Sequence, residues 1–266
     1  MEPLVLETIA GGVGRLTFNR PAQRNAMSPD MMALFYEKLK VMNDDPAIRC
    51  IVVDGAGGNF IAGGDVKSWA RLNTMTPAER GDDFRARMAP VRPLVNLIGA
   101  MDKPLIVAVR GFSAGAGITF VLSADFVIAD DTAKFLFANV RMSLIPDMGI
   151  TYWLPRIVGA REALRLTLLG SQVGAKEAKD LGIVSEIVTP DGFEAAIAEL
   201  TAKIVAMPAK AILETKKLLR LSRHGTLSEQ FDAEVDGLAV CAGEDDFLEA
   251  VTAFGERRPA KFGGAS

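Results

Sequence analysis

Histidine is almost missing from this chain: there is one, His224, in 266 residues. Any Ser-His-Asp or Cys-His mechanism would have to be built on it. It stands in LLRLSRHGT, a polar helix end before a glycine, where a C-terminal capping role is the simpler expectation. Cysteine is scarce too. Cys50 and Cys241 lie far apart with no Cys-x-x-Cys or Cys/His spacing, which argues against a disulfide framework or a zinc site and predicts two reduced thiols in a cytoplasmic protein. No uncharged apolar run reaches the roughly 18 residues of a membrane span. The first segment, MEPLVLETIAGG, has two acids and no basic flank, so neither a span nor a secretory leader is expected. The 30 basic residues are balanced by 33 acidic ones, with no dense basic patch, and nucleic acid is not an expected partner. Catalysis is thereby left to carboxylates and backbone amides.

What is present is enough apolar material, 49% of the residues, for a sizeable core. VGRLTF (13–18) alternates like a strand, and SPDMMALFYEKLKVMN reads as a helix with Ser28 as N-cap and Pro29 in its first turn. IRCIVVDG, PLIVAVRG, DFVIAD and AKFLFANV read as strands, AGITFVLSA as a short apolar helix, and AREALRLTLLG as a helix stopped by Gly170. GAKEAKDLGIVSEIV then gives a helix, a glycine stop and a closing strand. After about residue 190 the strands cease and four amphipathic helices follow. The pattern predicts an α/β core over 1–190 and a helical region over 191–266, packed on that core or at a subunit interface.

Two stretches of small residues follow predicted strands, NFIAGGDVK (59–67) and RGFSAGAGITF (110–120). Small side chains let a ligand approach the main chain. In the second, Gly115-Ala116-Gly117 opens a helix, so free N–H groups and the positive end of its dipole favour an anion or a developing oxyanion. A dinucleotide fingerprint fails at its third glycine, where Phe120 stands.

In order along the chain, Asn19-Arg20-Pro21 with Asn25-Ala26-Met27, NFIAGGDVK, VRGFSAGAGITFVLSADFVIA, SLIPDMGITYWLPRIVG and AVTAFGERRPAKF resemble the crotonase superfamily, the enoyl-CoA hydratase and isomerase group. Within it they are most similar to the isomerase subgroup acting on ring epoxides in phenylacetate breakdown. The resemblance implies a spiral of ββα repeats, a C-terminal helical region that trimerises, and an acyl-CoA thioester substrate with no metal or redox cofactor. It places the oxyanion hole on the amides of Gly64 and Ala116, which would stabilise an enolate by roughly 3–4 kcal/mol per donor. Hydratases of the family use two glutamates. Thr119 and Asn139 hold those positions here and cannot act as general bases near neutral pH.

Asp147, eight residues past Asn139, falls where isomerases of the family carry a catalytic aspartate and its dehalogenases a nucleophilic one. Its neighbours Leu144, Ile145 and Met148 are expected to raise its pKa; on local sequence alone it would be a turn or helix-capping carboxylate. Asp65 reads as a loop or helix-cap residue. The resemblance also implies CoA contacts at Arg24, Ala62 and Lys67, and at Phe254 and Arg257 from a neighbouring subunit, while a solvated surface role stays open for each of the cations. The acyl pocket would come largely from 68–100. An isomerase is the leading expectation, with a hydratase and a catalytically silent acyl-CoA-binding protein as alternatives. A dehalogenase fits less well, because RMAPVRPLVNLIGAMDKP lacks the histidine and aromatics needed to polarise a ring.

Overall fold

The computed structural model of the protein describes residues 2–263, apart from the side chains of residues 66–68. The chain opens with the antiparallel hairpin β1 (Val5–Ala10) and β2 (Val13–Phe18), and α1 (Pro29–Asp44) leads to β3 (Cys50–Gly55) and the short β4 (Ile61–Ala62). A 3-10 stretch over Val66–Thr74 precedes α2 (Pro77–Met88) and α3 (Arg92–Ala100). The next turn of the spiral is β5 (Leu105–Val109), β6 (Phe112–Ala114) and α4 (Ala116–Ser123). The one after is β7 (Phe126–Asp130), β8 (Lys134–Leu136), α5 (Ile150–Val158) and α6 (Ala160–Leu168). β9 (Gln172–Gly174), α7 (Ala175–Asp180) and β10 (Glu186–Val188) close the spiral, and α8 (Phe193–Val205), α9 (Ala209–Leu221), α10 (Leu227–Ala242) and α11 (Asp245–Glu256) follow.

Each turn lays one strand into a six-stranded sheet, ordered β1-β2-β3-β5-β7-β10, and a short one into a second sheet, ordered β4-β6-β8-β9. β3 and β5 are apolar without alternation because both faces are covered. Ile51, Val53 and Val107 face the main core, and Cys50, Val52 and Ile106 pack on Phe193, Ile197 and Ile204 of α8. The burial that shuts water away from Cys50 also pushes its thiol up to about 11. Cys241, on α10, is partly exposed.

Ser28 caps α1, its Oγ accepting the Met31 N–H at 3.3 Å, and Met31, Phe35, Leu39 and Met42 form one buried stripe. Phe35 stacks on Phe18 at 4.7 Å between ring centroids, and both contact Phe120 of α4, at 5.1 and 5.5 Å. Such aromatic pairs contribute about 0.5–1.5 kcal/mol beyond their buried area. They fix α4 against α1 and β2.

Two expectations are corrected. AKFLFANV is extended only over Lys134–Leu136, because a 3-10 turn begins at Asn139. His224 lies just past α9, and its ring is hydrogen-bonded to the Tyr152 hydroxyl at 2.8 Å, joining α9 to α5 across the sequence. No helix among the described residues is long and apolar enough to cross a membrane.

Candidate active site

The site is made by two chain segments leaving the small sheet side by side. β4 and β6 run parallel with Ala62 opposite Ala114, so two residues further on Gly64 and Ala116 are neighbours. A Cβ built on Gly115 would lie in contact with the first loop, 3.4 Å from Gly63 Cα and 3.8 Å from Gly64 N, and the φ of +51° there is what favours glycine at 115.

The two amides are aimed by what their preceding carbonyls do. Gly63 O accepts the Met27 N–H at 2.9 Å, so across the trans peptide the Gly64 N–H points away from that contact. Gly115 O turns into α4 and accepts from Ile118 N–H at 2.9 Å, so the Ala116 N–H points back out of the helix start. Among the described residues neither N–H has an acceptor. Two free donors at the positive end of a buried helix form the arrangement an oxyanion needs.

The first loop is held by the segment 20–27. Asn25, wholly buried with φ +56°, donates from Nδ2 to Ala56 O and Asn59 O at 2.9 and 2.8 Å, and its Oδ1 accepts the Arg20 N–H at 2.8 Å. Ala62 N–H donates to Arg24 O at 3.0 Å, and Asp65 N–H to Met27 O at 3.2 Å. Asp65 stands at the N-cap of the 3-10 stretch and pairs with Arg20 at 3.2 Å. The positioning role of Asn25 was missed from sequence reasoning, although Asn25-Ala26-Met27 belongs to the pattern that carried the resemblance.

Asp147 sits at the start of a tight turn. Its carbonyl accepts the Ile150 N–H at 3.0 Å across Met148 and Gly149, both left-handed at φ +50° and +88°. Methionine in that region is strained, and such strain gathers at functional sites. The turn feeds α5, which packs against α4. The helix takes Gly149 as N-cap with no side-chain cap bond, so Asp147 is not a capping residue. Burial pushes its carboxyl pKa up, opposed in part by a hydrogen bond with its own amide. The expected apolar cover is corrected in one respect: Ile145 is 79% exposed and contributes none, whereas Met148 packs on the core.

Thr119 is fully buried on α4, three residues past Ala116, and its hydroxyl has no partner among the described residues. Asn139 is partly buried and starts the 3-10 turn before the Asp147 segment. Trp69 is a further residue that sequence reasoning did not single out. Its Cζ2 would lie 3.5 Å from a Cβ on Gly64, and Phe84 of α2 meets it edge-on at 5.5 Å. The stretch 68–100 thus reaches the Gly64 loop, through an indole.

The expected CoA contacts divide. Arg24 and Ala62 adjoin the first loop, with the Arg24 guanidinium 5.7 Å over the Phe112 ring. The side chain of Lys67 lies outside the described residues. Phe254, 88% exposed, and Arg257, which ends α11 at φ +55°, stand in the helical region. α11 packs on α10, and Gly263 of the tail behind it lies near Arg49 at the start of β3, whereas Gly64 and Ala116 lie beyond strand C-terminal ends.

A sequence model of the family described as enoyl-CoA hydratase/isomerase matches residues 8–265. The chain is 33% identical to the 1,2-epoxyphenylacetyl-CoA isomerase of Escherichia coli K12, over 99% of its own length and 100% of the relative's. It is 31% identical to the crotonyl-CoA hydratase of Syntrophomonas wolfei over 93% of both. Among solved structures it matches an enoyl-CoA hydratase from Mycobacterium smegmatis with a TM-score of 0.89 at 28% identity, covering 98% of this chain and 99% of that one. Ordered motifs, spiral fold and full-length similarity lead to one conclusion: this chain is an enzyme of the enoyl-CoA hydratase/isomerase family, in the crotonase superfamily.

Proposed function

We propose that the enzyme is an acyl-CoA isomerase in which Asp147 is the one acid-base group. The substrate thioester oxygen accepts from Gly64 N–H and Ala116 N–H. The Asp147 carboxylate removes a proton from the carbon next to the thioester, the electron pair moves into the carbonyl as a dienolate, and the same proton is returned to the far end of the conjugated system. The double bond migrates, and no atom is gained or lost. A partly desolvated carboxyl suits both halves of this shuttle, since its raised pKa makes the carboxylate a better base. The same enolate stabilisation would serve the opening of a ring epoxide, the substrate named for the Escherichia coli relative.

The observation that carries the reading is the pairing of a desolvated Asp147 with Thr119 and Asn139 at the two hydratase-glutamate positions. Asp147→Asn should lower turnover of a 3-enoyl-CoA about 10²–10⁴-fold, the usual worth of a positioned acid-base group, with acyl-CoA affinity within a few-fold of wild type. Undiminished turnover would sink the assignment. The similarity to a crotonyl-CoA hydratase supports a second reading, with Asp147 activating water. Crotonyl-CoA separates them: hydration erases the conjugated enoyl absorbance, and migration of a 3-enoyl bond creates it.

The helical region is read as the oligomer contact. Leu227, Phe231 and Leu238 leave an apolar stripe exposed on α10, continued by Leu248 and Phe254 on α11. A homotrimer, or a dimer of trimers, would cover it and let Arg257 and Phe254 reach the CoA of a neighbour; a monomeric mass at micromolar concentration would overturn this.

A further inference from the structure

Below the Asp147 turn lies a second space that the proton shuttle does not use. Trp153 of α5 folds back under the turn, so tightly that a Cβ on Gly149 would lie 2.2 Å from its Cζ3. Its other edge faces α3, with Cζ2 3.9 Å from a Cβ position on Gly99. The indole is 7% exposed. On its far side it lines a cavity of about 620 Å³ at the foot of α4, together with Ile98, Phe126, Ala211, Ile212 and Leu219. That volume lies within the range of small-molecule sites.

Two of the cations that border the cavity are satisfied from within the protein. Lys216 donates to Asp125 Oδ2 at 2.6 Å and Lys103 O at 2.7 Å, and Arg220 to Met101 O and Asp102 at 2.9 Å each. Arg223 also borders the space, and the apolar part of that space, formed by Ile98, Phe126, Trp153, Ala211, Ile212 and Leu219, is the part that suits hydrocarbon. α4 sets the scale: its N-terminus holds the thioester donor Ala116 and its C-terminal residue Ser123 borders the cavity, so one eight-residue helix, about 12 Å at 1.5 Å per residue, spans the two. An unbranched acyl tail running along it past Asp147 would meet Trp153 first.

We propose that Trp153 is the specificity-determining wall of the acyl site, ending the tail just past the carbon served by Asp147 and closing off the cavity behind it. The inference rests on the placement of the thioester proposed above. It makes the wild-type enzyme selective for short or ring-sized acyl groups and leaves a ready pocket for longer ones once the wall is removed.

The test is a series of unbranched 3-enoyl-CoA substrates with tails of four to twelve carbons, given to wild type, Trp153→Ala, Trp153→Leu, Ala211→Trp and the Trp153→Ala/Ala211→Trp pair. Wild-type kcat/KM should fall with length. Trp153→Ala should move the optimum to longer tails, gaining roughly threefold to fourfold per methylene buried. Trp153→Leu should move it less, and it covers the case in which the alanine variant does not fold. Ala211→Trp fills the cavity from the far side; alone it should leave short-tail turnover unchanged, and in the pair it should cancel the gain. A uniform loss at every length, or a wild type already at its best with the longest tail, would overturn the proposal. Affinities of saturated acyl-CoAs along the same series need no turnover. If no unsaturated substrate reacts, the Asp147 reading fails, and the length profile of binding still decides the role of Trp153.

Discussion

The spiral core and the helical region after residue 190 are built to different degrees of completeness. In the core, Phe18, Phe35, Phe60 and Phe120 are wholly buried within one cluster. On α10 and α11 the large apolar residues face outward, with Leu227 at 86% and Phe254 at 88% exposure, and the one buried residue of α10 is Gly237. The buried stripe of α1 and the exposed stripe of α10 have the same helical period and opposite surroundings. Amphipathic spacing therefore states that a face will be covered, and leaves open whether the cover comes from the same chain.

The sharpest way to break this contrast is to truncate one aromatic from each region. Phe35→Ala should destabilise the fold by about 3–5 kcal/mol, read as a fall in urea midpoint. Phe231→Ala should stay within about 0.5 kcal/mol when unfolding is followed from the dissociated chain. Equal losses would mean that α10 is packed as tightly as the core. Next in size is the turn between the regions' chemistry and their scaffold. Gly149→Ala puts a methyl into the Trp153 ring and should cost about 1–3 kcal/mol, with a fall in kcat larger than the change in KM, because Asp147 moves with the turn. Phe254→Ala should leave stability untouched and weaken acyl-CoA binding several-fold, with more weakening at protein concentrations that favour the oligomer; no change would confine the site to one chain.

The smallest effect concerns pH. A carboxyl whose pKa is raised in the folded state binds protons more readily there than in the unfolded chain, so stability falls as pH rises from the ordinary value of 3.8 through the higher folded value. Asp147→Asn removes that penalty. Its Tm should exceed wild type at pH 7, and the gap should close below pH 3.8; a variant less stable than wild type at pH 7 would show that the carboxylate is held by favourable contacts instead.

Most of the spiral could be read in advance because its strands are either buried runs or clean alternations, and because Ser28, Gly170 and the Gly115 loop punctuate them. β1 escaped notice for a physical reason: it is an edge strand in which Val5 alone is buried, so VLETIA has no hydrophobic face to announce. The meeting of the two small-residue loops was legible. Gly64 and Ala116 needed small residues in fixed places, and the loops meet as that pattern implies. Asp147 could be placed only by resemblance, since its environment is set by Met148 packing and by a turn whose two left-handed residues no local rule foretells. Trp69 and Trp153 were not singled out. Their contacts join segments that are neighbours in space alone, the oxyanion loop in one case and the foot of α4 in the other.

The two cysteines turn the unevenness of the fold into a pair of clocks. A thiol reagent reaches Cys50 when β3 leaves the sheet, because the closed sheet both hides the thiol and holds its pKa up. Cys241 is reached whenever α10 loosens at its end, an opening that costs far less than unfolding the core. Alkylation of one enzyme sample would therefore record two rates, a slow one for the whole domain and a fast one for the helical region. Whatever covers α10 would slow the second and leave the first as it is.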